Sequence, residues 1–150
     1  MANRRTHVSA GVASGTAAAL YTAREQRGAA FVGEAIGGAL GGFVGACLPD
    51  QTEPPLHSWH RSTGHSVAAA AAIANAAMQS LAAWQQFCRT QAARHDGARA
   101  NAGNVAAQAW HAVVAFLWHV LSGCAAGLPV GYLSHLALDA CTPRCIPLLA

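Results

Sequence analysis

The chain has 150 residues, of which 53% are hydrophobic and 10% are charged, and its formal net charge is +3. Soluble domains carry about 25% charged residues, so the charged fraction of this chain is less than half the usual value. Disordered chains combine low hydrophobicity with high net charge, so the composition excludes a disordered chain. Nine arginines and no lysine, spread along the chain, do not form the basic stripe typical of a nucleic-acid-binding protein. The length predicts a single domain, residues 1–150.

Four long segments of low charge follow one another, and all are predicted to be helical. Alanine, the best helix former, makes up about a quarter of the chain, and the alternation typical of strands is absent from the sequence. The sequence therefore predicts an all-α, compact bundle of about four to five helices. The segments are His7–Thr22, Gly28–Leu48, His65–Cys88 and Asn104–Leu138.

The last three segments are long enough to cross a bilayer, which requires roughly 18–20 apolar residues. The second segment also carries glycines at four-residue spacing, and the missing side chains allow helix backbones to touch in lipid. We therefore predict a membrane-embedded bundle. The alternative is a soluble bundle of alanine-rich helices. The glycines of this ladder are Gly33, Gly37, Gly41 and Gly45.

Two polar stretches are predicted to be loops between the segments. The first, Pro49–Gly64, contains two adjacent prolines, and the second, Arg89–Gly103, is shorter. Pro129 is expected to interrupt the fourth segment. His95 is predicted to be solvated in the second loop, and the Trp–His pairs at 110–111 and 118–119 are predicted to serve packing.

The first loop combines carboxylates with imidazoles in a chain that has few charges elsewhere. Carboxylate oxygen and imidazole nitrogen are ligands that suit Zn, Mn or Fe, and prolines restrict the loop that presents them. The stretch therefore predicts a metal site; the alternative is a solvated loop with incidental histidines. Its candidate residues are Asp50, Glu53, His57, His60 and His65.

Two further carboxylates fall inside apolar helices, where an unpaired charge is costly. Asp139 follows His135 by four residues, so both project from one helix face, as metal ligands or as a hydrogen-bonded pair. Glu34 is isolated in the glycine-rich segment. It is a ligand, a proton-transfer group or the partner of an arginine.

In chain order, these residues resemble the YdjM-like family of small bacterial membrane-associated proteins, which are described as metal-dependent hydrolases. The resemblance covers nearly the whole chain, and its last block is the most specific. The family is itself similar to the zinc-dependent phospholipase C and nuclease superfamily, which implies hydrolysis of a phosphoester or phospholipid. The matching blocks are His7, Leu48-Pro49-Asp50, His60-Arg61, His65-Ser66, Gly131-Tyr132-Leu133-Ser134-His135, Asp139, Thr142-Pro143 and Pro147-Leu148-Leu149.

The resemblance implies one or two divalent ions, with Zn favoured over Mn or Fe. The implied ligands are His7, Asp50, His60, His65, His135 and Asp139. Many relatives carry a second Asp where this chain has Thr52, so Glu53 or His57 takes that role here.

We expect a metal-dependent hydrolase of the bacterial inner membrane, acting on a small-molecule or lipid phosphoester. Glu34 or Glu53 is expected to act as general base, and Arg61 to bind phosphate through its two-pronged side chain. One alternative is a non-catalytic membrane protein with a structural metal or His/Asp cluster, which forms homo-oligomers through the glycine ladder. A third hypothesis is a module that transports metal ions or protons.

Overall fold

The computed structural model describes residues 3–52 and 66–141, and all regular structure within these ranges is helical. The all-α prediction is confirmed. α3, a π-helical turn (Ala77–Leu81) and α4 follow one another without a break, so these residues form four helical rods. The α-helices are α1 (Arg4–Thr22), α2 (Gly28–Thr52), α3 (Val67–Ala76), α4 (Ala82–Ala100) and α5 (Val105–Ala140).

Two prolines that were expected to break helices lie inside them. α2 continues through Pro49 to Thr52, so the predicted loop begins later than Pro49, and α5 continues through Pro129. Proline removes one backbone hydrogen bond, but contacts with neighbouring helices can compensate for that loss in a membrane protein. Both prolines are buried, so each lies on a face of its helix that packs against the rest of the bundle.

The predicted second loop, Arg89–Gly103, is wrong for most of its length, because α4 runs to Ala100. Most polar residues of this stretch lie on the exposed side of the helix, whereas Arg89 and His95 contact neighbouring helices. Gln85, Cys88 and Ala92 form its buried side at spacings of three and four residues. The stretch is therefore an amphipathic helix, whose polar composition resembles that of a loop.

The helices α2 and α5 are parallel neighbours at the centre of the bundle. A Cβ atom at Gly37 would lie against the carbonyl oxygen of Val120, and one at Gly45 against that of Leu128. Residue numbers thus rise together along both helices, and the backbones touch where side chains are missing. The close approach predicted from the glycine spacing is confirmed.

α1 packs antiparallel to α2 through glycines of its own. A Cβ atom at Gly11 would come within 2.6 Å of the Gly42 carbonyl oxygen, and one at Gly15 within 2.6 Å of the Gly38 carbonyl oxygen. The glycine faces of α2 are therefore covered by α1 and α5 of the same chain. The N-terminal end of α1 consequently lies beside the C-terminal ends of α2 and α5, and we call this region the site end of the bundle.

Three rods are long and apolar enough to cross a membrane: Gly28–Gln51, Val67–Ala100 and Val105–Ala140. At about 1.5 Å per residue, 36 residues of α5 extend about 54 Å, which exceeds the roughly 30 Å hydrocarbon core of a bilayer. Large apolar side chains are exposed along the outer faces of two rods, as expected for contact with lipid. They include Phe31, Ile36, Leu40 and Phe43 of α2 and Val113, Leu117 and Leu121 of α5.

The close helix contacts predict that a single methyl group at Gly127 destabilises the bundle. In Gly127→Ala, the new Cβ would overlap the Gly38 carbonyl oxygen, so the helices must separate. We expect a loss of about 1–3 kcal/mol in the free energy of unfolding, measured by denaturant titration in detergent. Gly97→Ala is the control, because no atom lies within 4 Å of the added Cβ. Equal stability of the two variants would contradict this packing.

Candidate metal centre

Four predicted ligands from three helices meet at the site end. His7 lies in the first turn of α1, Asp50 in the last turn of α2, and His135 and Asp139 on successive turns of α5. The Asn3 side chain caps α1 by accepting a hydrogen bond from the Arg5 N–H at 3.1 Å, so the helix is formed where His7 leaves it.

The nitrogen and oxygen atoms of these side chains are close together but too far apart for direct hydrogen bonds. His7 Nε2 is 3.6 Å from Asp139 Oδ1, and His135 Nε2 is 3.5 Å from Asp139 Oδ2 and 3.6 Å from Asp50 Oδ1. Hydrogen bonds of this type measure about 2.7–3.2 Å. The two imidazole rings stack with centroids 4.0 Å apart.

These separations fit a shared metal ion. Bonds of about 2.0–2.2 Å in a tetrahedral site place neighbouring ligand atoms about 3.3–3.6 Å apart. One ligand atom from each of His7, His135 and Asp139 lies within 4.8 Å of the others, and all three side chains are buried. Asp50 is more open, with 36% of its side chain exposed. The donor set is the imidazole and carboxylate set that suits Zn.

The orientation of His135 is fixed by the backbone of α2. Its Nδ1 lies 2.6 Å from the Ala46 carbonyl oxygen. A carbonyl only accepts hydrogen bonds, so Nδ1 carries a proton and donates it, and Nε2 is the nitrogen that faces the carboxylates. A histidine that binds metal is normally held in this way through its second nitrogen.

A cavity of about 250 Å³ lies between the N-terminal end of α1 and the C-terminal end of α2. His7 and Asp50 belong to both the cluster and the cavity wall, so the cluster is open to a space that can hold a small group. Arg4, a cavity residue, was not among the predicted site residues. It precedes His7 by three residues and so lies on the same side of α1, and this spacing is the sequence signal that could have indicated it. The other lining residues are Arg4, Val8, Ala46, Cys47 and Gln51.

The remaining predicted site residues of the first loop lie outside the described residues. Their roles as ligands, general base or phosphate-binding group stay predictions. They are Glu53, His57, His60, Arg61 and His65.

Glu34 lies in a different buried cluster, where it pairs with an arginine. Arg89 donates to both carboxylate oxygens, from Nε at 2.7 Å and from Nη2 at 2.5 Å, and Nη2 also donates to the Thr22 carbonyl at 3.0 Å. His119 Nδ1 is 3.5 Å from the same carboxylate. Of the alternatives for Glu34, the arginine partner is the one present here. The sequence analysis placed Arg89 in a loop and therefore missed the pair.

This charged cluster is far from the candidate metal centre. Glu34 and Asp50 are sixteen residues apart on α2, which corresponds to about 24 Å along the helix. No contact among the described residues joins Glu34 to the His/Asp cluster. Its role as general base stays a prediction.

Two histidines assigned to solvent or packing meet near the other end of the bundle. His95 Nδ1 of α4 lies 3.0 Å from His111 Nδ1 of α5. The prediction of a solvated loop for His95 is wrong, because the residue is part of α4. Periodic spacing alone did not indicate which residues of α5 face α4.

The ion pair predicts that Arg89→Ala destabilises the protein strongly, because it leaves the Glu34 carboxylate buried without its partner. We expect a loss of about 3–5 kcal/mol in the free energy of unfolding, measured in detergent. Arg94→Ala is the matched control on the exposed side of α4. Equal losses in the two variants would show that the pair contributes nothing specific.

Comparison with known proteins identifies a family match over the whole chain. The family model described as YdjM inner membrane protein matches residues 1–150. Neither the curated proteins nor the solved structures give a match. The family and the three apolar rods support the predicted inner-membrane location. The chain therefore belongs to the YdjM inner membrane protein family.

Proposed function

We propose that this protein is a metal-dependent hydrolase whose site lies at one end of its membrane-embedded bundle. The observation that carries the proposal is the set of separations from 3.5 to 3.6 Å around His135 Nε2 and Asp139, with His135 Nδ1 fixed by the Ala46 carbonyl.

His7, His135 and Asp139 would hold the ion, and Asp50 would complete its coordination from the cavity side. A bound divalent ion supplies Lewis acidity, which activates water and polarises an ester oxygen. The protein's part is to fix the ligands. The Ala46 carbonyl orients His135, and the His7 ring stacks on His135 with centroids 4.0 Å apart.

Access to the site favours catalysis over a purely structural role. A structural site is closed by four protein ligands, whereas a catalytic site keeps one side open. The cavity beside His7 and Asp50 provides such an opening, with room for a substrate group next to the ligands. The open carboxylate of Asp50 supports the same proposal, because the other three ligands are almost fully buried.

The chemistry of the substrate remains that implied by the family resemblance, a small-molecule or lipid phosphoester. Glu53 remains the proposed general base and Arg61 a proposed phosphate-binding group, with His60 and His65 as further ligands. We assign Glu34 no step in the reaction, because Arg89 already engages both of its carboxylate oxygens.

The proposal predicts one or two divalent ions per chain in the protein purified with mild detergent, measured by elemental mass spectrometry. Asp139→Asn and His135→Ala should lose the metal, because each removes a ligand atom. Hydrolysis of a chromogenic phosphodiester should fall at least about 100-fold in both variants, as expected when a metal-dependent step loses its ion. Asp96→Asn and His111→Ala are matched controls outside the cluster, and should keep both metal and activity.

The outcomes separate the two functions. Wild-type protein without stoichiometric metal would overturn the metal site and with it the hydrolase. Stoichiometric metal that is lost in Asp139→Asn, without hydrolysis of phosphodiesters or phosphomonoesters, would overturn the hydrolase and favour a structural metal that joins α1, α2 and α5.

A further inference from the structure

We propose that the cavity between α1 and α2 binds the phosphate group of the substrate and that Arg4 is the residue that pairs with it. This inference rests on the proposed function, because it places the phosphate beside the candidate metal ligands. It assigns a binding role to a residue at the start of α1, separate from the role predicted for Arg61.

The position of Arg4 supports this role. It lines the cavity together with His7, one helical turn away, and with Asp50 on the opposite wall. Among residues 3–52 and 66–141, no carboxylate or carbonyl is paired with the Arg4 guanidinium. An arginine that faces a cavity without a partner has its five N–H donors free for an anion.

The chemistry of the cavity favours phosphate. The guanidinium fork matches two oxygens of a phosphate group, and charge-assisted hydrogen bonds of this kind are about twice as strong as neutral ones. The carboxylates of Asp139 and Asp50 would offset most of the charge of a divalent ion held with His7 and His135, so Arg4 is the residue that supplies net positive charge to an anion in the cavity. The cavity thus has a guanidinium on one wall and two candidate metal ligands, His7 and Asp50, beside it.

The size and place of the cavity suggest which part of the substrate it takes. Its volume of about 250 Å³ suits a phosphate with a short attached group and is too small for a lipid with its acyl chains. The cavity lies at the end of the bundle, where rods that cross the membrane reach its surface. Phosphate is therefore available there from a lipid headgroup or from a soluble ester.

The neighbouring Arg5 provides a matched control. It has the same charge and lies in the same first turn of α1, but it does not line the cavity. Adjacent residues on a helix point about 100° apart, so only one of the two arginines can face α2. A general effect of positive charge at this end would be equal for both.

The test is the affinity of the full-length protein for inorganic phosphate, measured by titration calorimetry in a maltoside detergent, with the metal content determined on the same samples. Arg4→Gln should weaken phosphate binding at least about tenfold, as expected for the loss of a charge-assisted hydrogen bond, without a change in metal content. Arg5→Gln should stay within about twofold of wild type, and Arg4→Lys should be intermediate because it keeps the charge but loses the fork.

Competition identifies the source of the phosphate. Displacement of inorganic phosphate by a short-chain phosphatidylglycerol, but not by glycerol phosphate, would assign the cavity to a lipid headgroup; the reverse would assign it to a soluble ester. Displacement by neither compound would overturn the inference.

The inference and the proposed function fail in different ways. Equal phosphate affinity in Arg4→Gln and Arg5→Gln, with metal present, would overturn the role of Arg4 and leave the hydrolase intact. Arg4-dependent phosphate binding by a protein without metal would overturn the metal centre and retain the anion site.

Discussion

The contact of glycine backbones between α2 and its two neighbours is the constraint on which the rest of the structure depends. Gly38 and Gly42 contact α1 on one side and α5 on the other. The axes of the three helices therefore lie close together where each helix contributes glycines. Side chains of ordinary size would separate the axes by several ångströms. His7 and His135, which come from different helices, could not then stack at 4.0 Å. The candidate site is thus a product of close packing as much as of its own residues.

Two buried polar clusters lie at different levels of the same bundle and serve different purposes. The Glu34–Arg89 pair is saturated with hydrogen bonds and joins α2 to α4. In the His/Asp cluster, the imidazole nitrogens and carboxylate oxygens are 3.5–3.6 Å from one another, and the cluster adjoins a cavity. Between them, α2 and α5 touch through glycines and apolar residues such as Leu128. The first cluster therefore links two helices, while the second has the features of a candidate metal centre.

Residue spacing along the sequence predicted only the part of the candidate site that lies on a single helix. His135 and Asp139 share a face of α5 because they are four residues apart, and the sequence was sufficient for that. The approach of His7 from α1 could be expected only from the family resemblance, since it depends on the relative positions of three helices. Arg89 was missed for a physical reason, because it begins a polar stretch whose buried side is short. An arginine partner was nevertheless one of the three alternatives predicted for Glu34.

The hydrogen bond from His135 to the main chain of α2 ties the position of one candidate ligand to the packing of the helices. Because the acceptor is the Ala46 carbonyl, its position follows the axis of α2 and no side chain can adjust independently. Any tilt or slide of α2 against α5 moves that acceptor relative to the imidazole. Bilayers of different thickness impose different tilts on long helices. The placement of the His135 imidazole therefore depends on the relative tilt of α2 and α5.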